Sequence, residues 1–269
     1  MVKFLAFLII FNAVECNPTS KADNSSIKPA MVQTPIISDC SRNLEEKIKP
    51  LFNNHLIEEG EVDKDEELIK DLKSRLREET LDCLVDLQTE RKDDFEILAK
   101  TSYLLIKLGH NEYENGKILV SSYLLWKKTI LSWYKDKNYE ENYNQGKYNF
   151  DFGGDLILSL IADVIKHHNK EILSETIDLA DDTDGASSEV ISHIFGDAFE
   201  KNPQDFLRRL KPKSKEIRED VYLYIYYSNG KAKAIKLLSS IPENSDVYSF
   251  VKEIKEFART NKYISEMNY

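Results

Sequence analysis

Few residues in this chain interrupt regular structure, because its 269 residues include only nine glycines and seven prolines. Glycine and proline are the strongest local signals of turns and loops, so their scarcity favours helices joined by short connections. Long apolar runs are also missing. The longest run covers residues 4–11, far short of the roughly 20 residues that a helix needs to cross a bilayer. The sequence therefore predicts no membrane span.

Basic residues are fewer than acidic residues. The chain has 37 lysines and arginines against 47 acidic residues, a formal net charge of −10. A negative chain is repelled by phosphate backbones and by anionic lipid surfaces. We therefore expect no nucleic-acid partner.

Short catalytic signatures are missing too. The sequence contains no Gly-x-Ser-x-Gly, no glycine-rich phosphate loop and no His-Glu-x-x-His, so it predicts no cofactor. This is weak evidence against an enzyme, because acid–base sites leave no short signature.

Residues 1–16 have the composition of an export signal. A lysine at position 3 precedes the apolar run, and small and polar residues follow it. This order is typical of a signal that is cleaved, here after Ala13 or Cys16, which predicts a secreted or periplasmic protein. Lipid anchoring through Cys16 is the disfavoured alternative, because the bulky charge of Glu15 precedes the cysteine. A buried N-terminal helix is a further alternative.

The remaining chain divides into a tether and one domain. Residues 17–39 are polar and interrupted by Pro18, Pro29 and Pro35, which predicts a disordered tether. Residues 40–269 predict a single all-α domain. Apolar periodicity predicts its helices over residues 65–90, 93–108, 118–134, 156–169, 186–200, 204–210, 214–227, 231–240 and 245–260.

Two features of these helices carry more specific predictions. Gly109 follows the second helix and is well placed as a left-handed cap. The third helix has an apolar stripe at alternating spacings of four and three residues, which predicts a core seam. The stripe consists of Leu119, Tyr123, Trp126, Ile130 and Trp133.

Cys40 and Cys83 remain if the signal is removed with Cys16. An even pair in an exported chain is compatible with one disulfide. Closing a loop of that length stabilises a fold by about 4 kcal/mol from loop-closure entropy. Alternatively, Cys83 is only a small core residue, since it lies on an apolar line of its helix.

Two segments resemble the helical hairpins of tetratricopeptide or HEAT-like repeats. One is Leu108-Gly109 with Tyr113-Glu114, and the other is Asn229-Gly230 leading into Ala234. The resemblance covers about a quarter of the chain, and no fixed period links the two segments. It implies antiparallel helical hairpins in an irregular α-solenoid, a class whose members usually bind proteins. A helical bundle is the alternative architecture.

Two histidine–aspartate pairs suggest a metal site. Asp163 and His167 lie one turn apart on one predicted helix, and His193 and Asp197 do so on the next. Residues four apart share a helix face, so these ligands could converge on a zinc ion if the two helices pack together. Surface contacts within each pair are the alternative.

Residues 135–154 lack a helical period. They contain Tyr139, Tyr143, Tyr148, Phe150 and Phe152 among asparagines and glycines, a composition of adaptable recognition loops. Long structureless connections are often functional, so these residues are predicted to contact a partner. In the alternative, the rings fold back onto the helices.

These observations favour an exported protein-binding or inhibitor-type helical module. The alternative is an exported hydrolase-type enzyme of unknown substrate. If this enzyme is metal-dependent, the histidine–aspartate pairs would hold the metal.

Overall fold

The computed structural model of this chain describes residues 39–49, 51, 69–70, 78–148, 152–182 and 185–266. Every regular element in these ranges is helical and none is a strand, which confirms the all-α class. They belong to one compact unit, Ile36–Tyr269. The predicted signal and tether lie outside the described residues, except that the first helix begins at Asp39.

Of the helices whose bounds lie in the described ranges, seven belong to the N-terminal part: α1 Asp39–Ile48, α2 Glu78–Glu90, α3 Phe95–Lys107, α4 Glu112–Tyr134, α5 Tyr139–Asn144, α6 Gly154–His167 and α7 Leu173–Thr176. Six follow in the C-terminal part: α8 Gly185–Lys201, α9 Pro203–Leu210, α10 Lys215–Asn229, α11 Lys231–Ser239, α12 Tyr248–Thr260 and α13 Lys262–Ser265. Short 3₁₀ helices, Lys170–Ile172 and Ile177–Asp182, flank α7.

Most predicted helices are found within a few residues of their expected ends. Among the helices whose expected ends both lie in the described ranges, the largest difference is at α4, which begins at Glu112 and continues through Gly116. A Cβ atom on Gly116 would overlap with the Cδ1 atom of Ile172. Glycine weakens a helix locally but here permits close packing, and a sequence pattern does not show that contact. The solenoid of repeated hairpins stays a prediction.

Helix α3 lies at the centre of the N-terminal part. Eleven of its 13 residues are buried, and it packs against α1, α2, α4 and α6. The Asp94 side chain accepts hydrogen bonds from the Glu96 and Ile97 amides and caps its first turn. Gly109, with φ of 75°, ends it in the left-handed conformation predicted from the sequence.

Because α3 is buried on nearly every side, its buried residues include polar ones. The hydroxyl of Thr101 donates to the carbonyl of Ile97 at 2.7 Å, and the hydroxyl of Ser102 accepts from Gln88 at 2.8 Å. Buried polar groups without such partners would destabilise the fold.

Lys100 has the most demanding environment on α3, because its side chain is fully buried. Its ammonium lies 2.7 Å from a carboxylate oxygen of Glu96 and donates to the carbonyl of Lys49 beyond the end of α1. It also lies 4.8 Å from the ring centroid of Phe152. The charge thus connects α3 with α1 and with the segment before α6.

Helix α6 joins the two parts of the core, since it packs against α4 on one side and α8 on the other. Helices α8 and α10 form the largest helix pair of the C-terminal part. Aromatic rings fill the space around them: Phe199 packs edge-on against Phe206 at 5.8 Å, and Tyr222 against Phe257 at 5.5 Å. Such edge-to-face pairs are favourable beyond the area they bury.

Replacing Lys100 with methionine is expected to lower the free energy of unfolding by about 3 kcal/mol, because it leaves the partners of a buried charge unpaired. Urea unfolding measures this change. The matched control is Lys92→Met, at an exposed position before α3, which should change stability by less than about 0.5 kcal/mol. A Lys100→Met protein as stable as the control would contradict this role of the charge.

Candidate functional site

Helix α4 changes character halfway along its length. Its buried residues all lie between Asn115 and Tyr123. In the remaining residues, 124–134, every side chain is partly or fully exposed, and this stretch extends about 16 Å at 1.5 Å per residue. Seven of these residues are nevertheless apolar or aromatic: Leu124, Leu125, Trp126, Ile130, Leu131, Trp133 and Tyr134.

The exposure of this half-helix is substantial. Leu124 is 42% exposed, Leu131 is 48% and Tyr134 is 60%. Leu125, Trp126 and Trp133 of the same stretch pack partly against the core. Several large apolar side chains exposed on one helix favour an interaction site. This half-helix is also locally basic, because residues 124–135 contain three lysines and no acidic residue, although the chain as a whole is negative.

A stack of aromatic rings continues this surface onto α5. Tyr148 stacks on Trp133 with 4.9 Å between ring centroids, and Tyr139 stacks on Tyr148 at 5.6 Å. Tyr143 and Tyr134 also pack against Tyr139, with 6.1 Å and 5.3 Å between ring centroids. We refer to residues 124–148 as the α4–α5 surface.

A single carboxylate organises the segment that carries these rings. Asp136 accepts hydrogen bonds from the Tyr148 hydroxyl at 2.6 Å, the Asn142 amide at 2.8 Å and the backbone N–H of Asn138 at 2.9 Å. The bond from Tyr148, followed by those from Asn138 and Asn142, holds the pKa of Asp136 below its usual value. Hydrogen bonds to the charged form stabilise that form.

The predicted partner-binding residues therefore have different environments. Tyr143 is 55% exposed, whereas Tyr139 and Tyr148 are partly buried within the ring stack. Phe152 is fully buried, so its predicted place on a contact surface is wrong, because it packs beneath the Lys100 ammonium. Phe150 lies outside the described residues.

The prediction of a structureless segment over residues 135–154 is wrong in part. Residues Tyr139–Asn144 form α5, and Tyr148 folds back onto α4 as the alternative interpretation expected. The sequence analysis also missed Leu124, Leu131 and Tyr134, which lie off the predicted stripe. The sequence did contain a signal, because seven of the residues 124–134 are apolar or aromatic. So many apolar side chains on one stretch of helix cannot all be buried against one neighbour.

The predicted metal residues line one groove of about 360 Å³ between α6 and α8. Asp163, His167, His193 and Asp197 are all among its lining residues. However, no three histidine, cysteine or acidic side chains in the described part of the chain are grouped closely enough to hold a metal ion. The structure brings the four residues to one groove without forming a coordination site.

Asp163 is engaged by other partners. It accepts a hydrogen bond from the Tyr103 hydroxyl at 2.8 Å and lies 3.3 Å from the Lys107 ammonium. Burial acts to raise the pKa of Asp163, but Tyr103 and Lys107 together hold it below its usual value. An adjacent ammonium also opposes binding of a cation, so the geometry favours a structural link between α3 and α6.

Cys83 on α2 is disulfide-bonded. Helix α1, which carries Cys40, packs against α2, but the Cys40 side chain lies outside the described residues. The pairing of Cys40 with Cys83 stays a prediction.

No helix within the described ranges combines the length and apolarity required to cross a membrane. Comparisons with protein families, with curated proteins and with solved structures found no match to this chain.

Replacing Tyr148 with phenylalanine is expected to raise the pKa of Asp136 toward its usual value, because the largest stabilising hydrogen bond to the carboxylate is lost. In the native protein, this stabilisation is present above the unfolded aspartate pKa of about 3.9 and is lost as the pH falls through the lowered folded value. Carboxyl-carbon NMR titration of Asp136 measures the change.

Tyr113→Phe is the matched control for that titration, since it removes a phenol that donates to Glu175 at 2.9 Å elsewhere in the fold. It should leave the Asp136 midpoint unchanged. Equal Asp136 midpoints in the native and Tyr148→Phe proteins would show that Tyr148 does not hold this carboxylate in solution.

If Cys40 and Cys83 pair, Cys40→Ala, Cys83→Ala and the double variant should lose the same stability, about 2–4 kcal/mol. The reason is that either single change already removes the cross-link. Chemical unfolding of the oxidised proteins measures the loss. Additive losses in the double variant would show that the two cysteines act separately.

Proposed function

We propose that this protein is an exported helical module that binds a protein partner through the α4–α5 surface. The observation that carries the proposal is the second half of α4, where apolar side chains remain exposed on a helix whose first half is buried in the core. Apolar side chains that stay in water do not contribute the free energy that their burial would give. A partner that covers them would recover it.

The aromatic rings of this surface suit a binding role. Tyrosine and tryptophan supply large contact areas with few rotatable bonds and dominate the energetics of many interfaces. Here Trp133, Tyr139 and Tyr148 are already stacked on one another. Because this order exists before binding, less conformational entropy is lost on association.

Charge indicates the kind of partner. Lys127, Lys128 and Lys135 accompany the exposed part of α4, so a partner with an apolar groove and acidic groups opposite these lysines would be complementary. Charge complementarity of this kind mainly increases the association rate and selects among partners. The partner-facing lysines also make binding sensitive to salt.

Two observations support export. Residues 1–16 have the order of charged, apolar and small residues of a cleaved signal. Cys83 is disulfide-bonded, and disulfides persist mainly in oxidising compartments outside the cytosol. The resemblance to helical-hairpin repeats supports a protein-binding role by analogy of fold only.

The test compares three forms of the mature protein as immobilised bait for the exported fraction of the native host. The first is the native sequence. The second carries Leu131→Ser, Tyr134→Ala and Tyr143→Ala at exposed positions of the α4–α5 surface. The third is a control with Tyr227→Ala and Tyr263→Ala, which are 60% and 73% exposed elsewhere.

The native and control baits should retain the same protein, and the surface variant should lose it. With that partner purified, the surface variant should bind about 10- to 100-fold more weakly, corresponding to roughly 1–3 kcal/mol for truncated interface side chains. Its melting temperature should stay close to the native value. Equal affinity of the native and surface-variant proteins would show that the α4–α5 surface is not the interface.

A further inference from the structure

The outward side of the second half of α4 carries a regular row of side chains. Leu124, Lys128, Leu131 and Lys135 follow one another at spacings of four, three and four residues. At about 100° per residue, these positions fall within an arc of roughly 60° on the helix surface. Lys135 comes directly after the last helical residue and keeps helical backbone angles, φ −88° and ψ −7°. We refer to these four residues as the α4 row.

Packing of the helix turns the α4 row toward solvent. All four side chains of the row are exposed. Trp126 and Trp133 lie about half a turn away around the helix and face the fold instead. A Cβ atom on Gly154 would overlap with the Trp126 indole. The Trp133 ring lies 6.5 Å from the Phe95 ring. Because the two tryptophans fix the rotation of the helix, the row stays on its outer side.

Tyrosine rings extend the apolar surface from the row toward α5. Tyr134 follows Leu131 by three residues, so the two side chains are neighbours on the helix. The Tyr134 ring lies 5.3 Å from the Tyr139 ring, and the Tyr143 ring lies 6.1 Å from the same residue. Tyr134 and Tyr143 are 60% and 55% exposed. Exposed aromatic area therefore continues beside the row.

The α4 row is positively charged. Within the described ranges, no carboxylate lies within ion-pair distance of the Lys128 or the Lys135 ammonium. The nearest acidic residue in the sequence, Asp136, accepts hydrogen bonds from Tyr148 and Asn142 instead. The whole α4–α5 surface, residues 124–148, contains five lysines and three acidic residues. A positive excess at this surface of a negative chain favours an acidic partner.

The spacing of the α4 row favours a helical partner. Helices associate when rows of side chains on one helix pack into the grooves between rows on the other. Contacts that recur every three or four residues are the signature of such a seam. A strand repeats every two residues and does not match this spacing. Since leucine alternates with lysine in the row, a matching helix has apolar positions for the leucines and acidic positions for the lysines.

On the basis of the proposed function, we infer that the partner presents an acidic amphipathic helix to the α4 row. Leu124 and Leu131 enter the apolar seam of that helix. Lys128 and Lys135 form ion pairs with glutamate or aspartate at its flanks. The helix covers the exposed apolar side chains of α4 and neutralises two cations that have no carboxylate partner within the fold.

A second copy of this chain fits the α4 row less well. Pairing of two rows would bring Lys128 and Lys135 of both copies into one seam, and the rows themselves contain no acidic residue. Like charges on adjoining positions destabilise helix pairing. Each copy also carries a net charge of −10, which opposes close approach of two copies.

The test measures fluorescence anisotropy of three labelled synthetic peptides with the mature protein. The acidic probe has about three heptads, with leucine at the a and d positions, glutamate at e and g, and alanine elsewhere. The basic probe has lysine in place of each glutamate. The apolar-deficient probe keeps the glutamates and has alanine in place of each leucine. We expect saturable one-to-one binding of the acidic probe, at least ten times tighter than that of the other two.

Charge reversal tests the two lysines of the row. The Lys128→Glu, Lys135→Glu variant should bind the acidic probe at least tenfold more weakly and the basic probe more tightly than the native protein does. Loss of folding cannot produce such an exchange of preference. The matched control is Lys236→Glu, Lys252→Glu, which changes the net charge equally at exposed positions of α11 and α12. It should keep the native preference.

Two results with the probes would overturn the inference. One is the absence of saturable binding of the acidic probe to the native protein. The other is equal affinity of the native protein for the acidic and basic probes. Tighter binding to phosphatidylglycerol vesicles than to the acidic probe would overturn it in favour of a lipid surface. A dimer in sedimentation analysis that Leu131→Ser abolishes would overturn it in favour of a second copy.

The captured partner separates this inference from the proposed function. If the Leu131→Ser, Tyr134→Ala, Tyr143→Ala bait loses the partner but the Lys128→Glu, Lys135→Glu bait retains it undiminished, the acidic helix is wrong and the interface stands. If the first of these baits retains the partner with native affinity, the proposed interface itself is wrong. Loss of the partner from both baits, together with the exchange of probe preference, supports the acidic helix.

Discussion

The buried ammonium of Lys100 is the constraint on which the N-terminal part of the fold depends. An unpaired charge in an apolar interior costs several kcal/mol, so its partners must be held in place together. Those partners come from three segments: Glu96 on α3, the carbonyl of Lys49 beyond α1, and the ring of Phe152 before α6. Satisfying one charge therefore fixes the relative positions of three segments around a central helix.

That arrangement also determines where the core ends. Phe152 packs against the Lys100 ammonium. The segment between α4 and Phe152 must therefore lead back from the C-terminal end of α4. The connection returns through α5 and Tyr148, which Asp136 and Trp133 hold against α4. Trp126 and Trp133 in the exposed half of α4 still contact Gly154 and Phe95, whereas Leu124, Leu131 and Tyr134 of the same half are exposed. These three exposed side chains remain available to a partner.

Positive charge is concentrated locally in this acidic protein. Residues 124–135 contain three lysines and no acidic residue, and three basic side chains but no acidic one line a pocket between α10, α11, α12 and α13. Other basic side chains in the described residues form ion pairs, as in the contact of Arg209 with Glu171 at 2.7 Å. Fields of this kind act over about one Debye length of 8 Å, so each region keeps a positive field of its own despite the overall negative charge.

The sequence by itself determined the helical class, most helix positions and the Gly109 cap. The reason is that apolar periodicity and the left-handed conformation of a glycine depend only on residues close together in the chain. It also placed the aromatic cluster between α4 and α6. Only the tertiary structure decided which rings are exposed, since Tyr143 and Phe152 have similar sequence surroundings but opposite burial. It likewise brought Tyr226, Lys231 and Lys255 to one pocket from three helices. Such contacts depend on how helices pack, and helix packing joins residues that no local pattern connects.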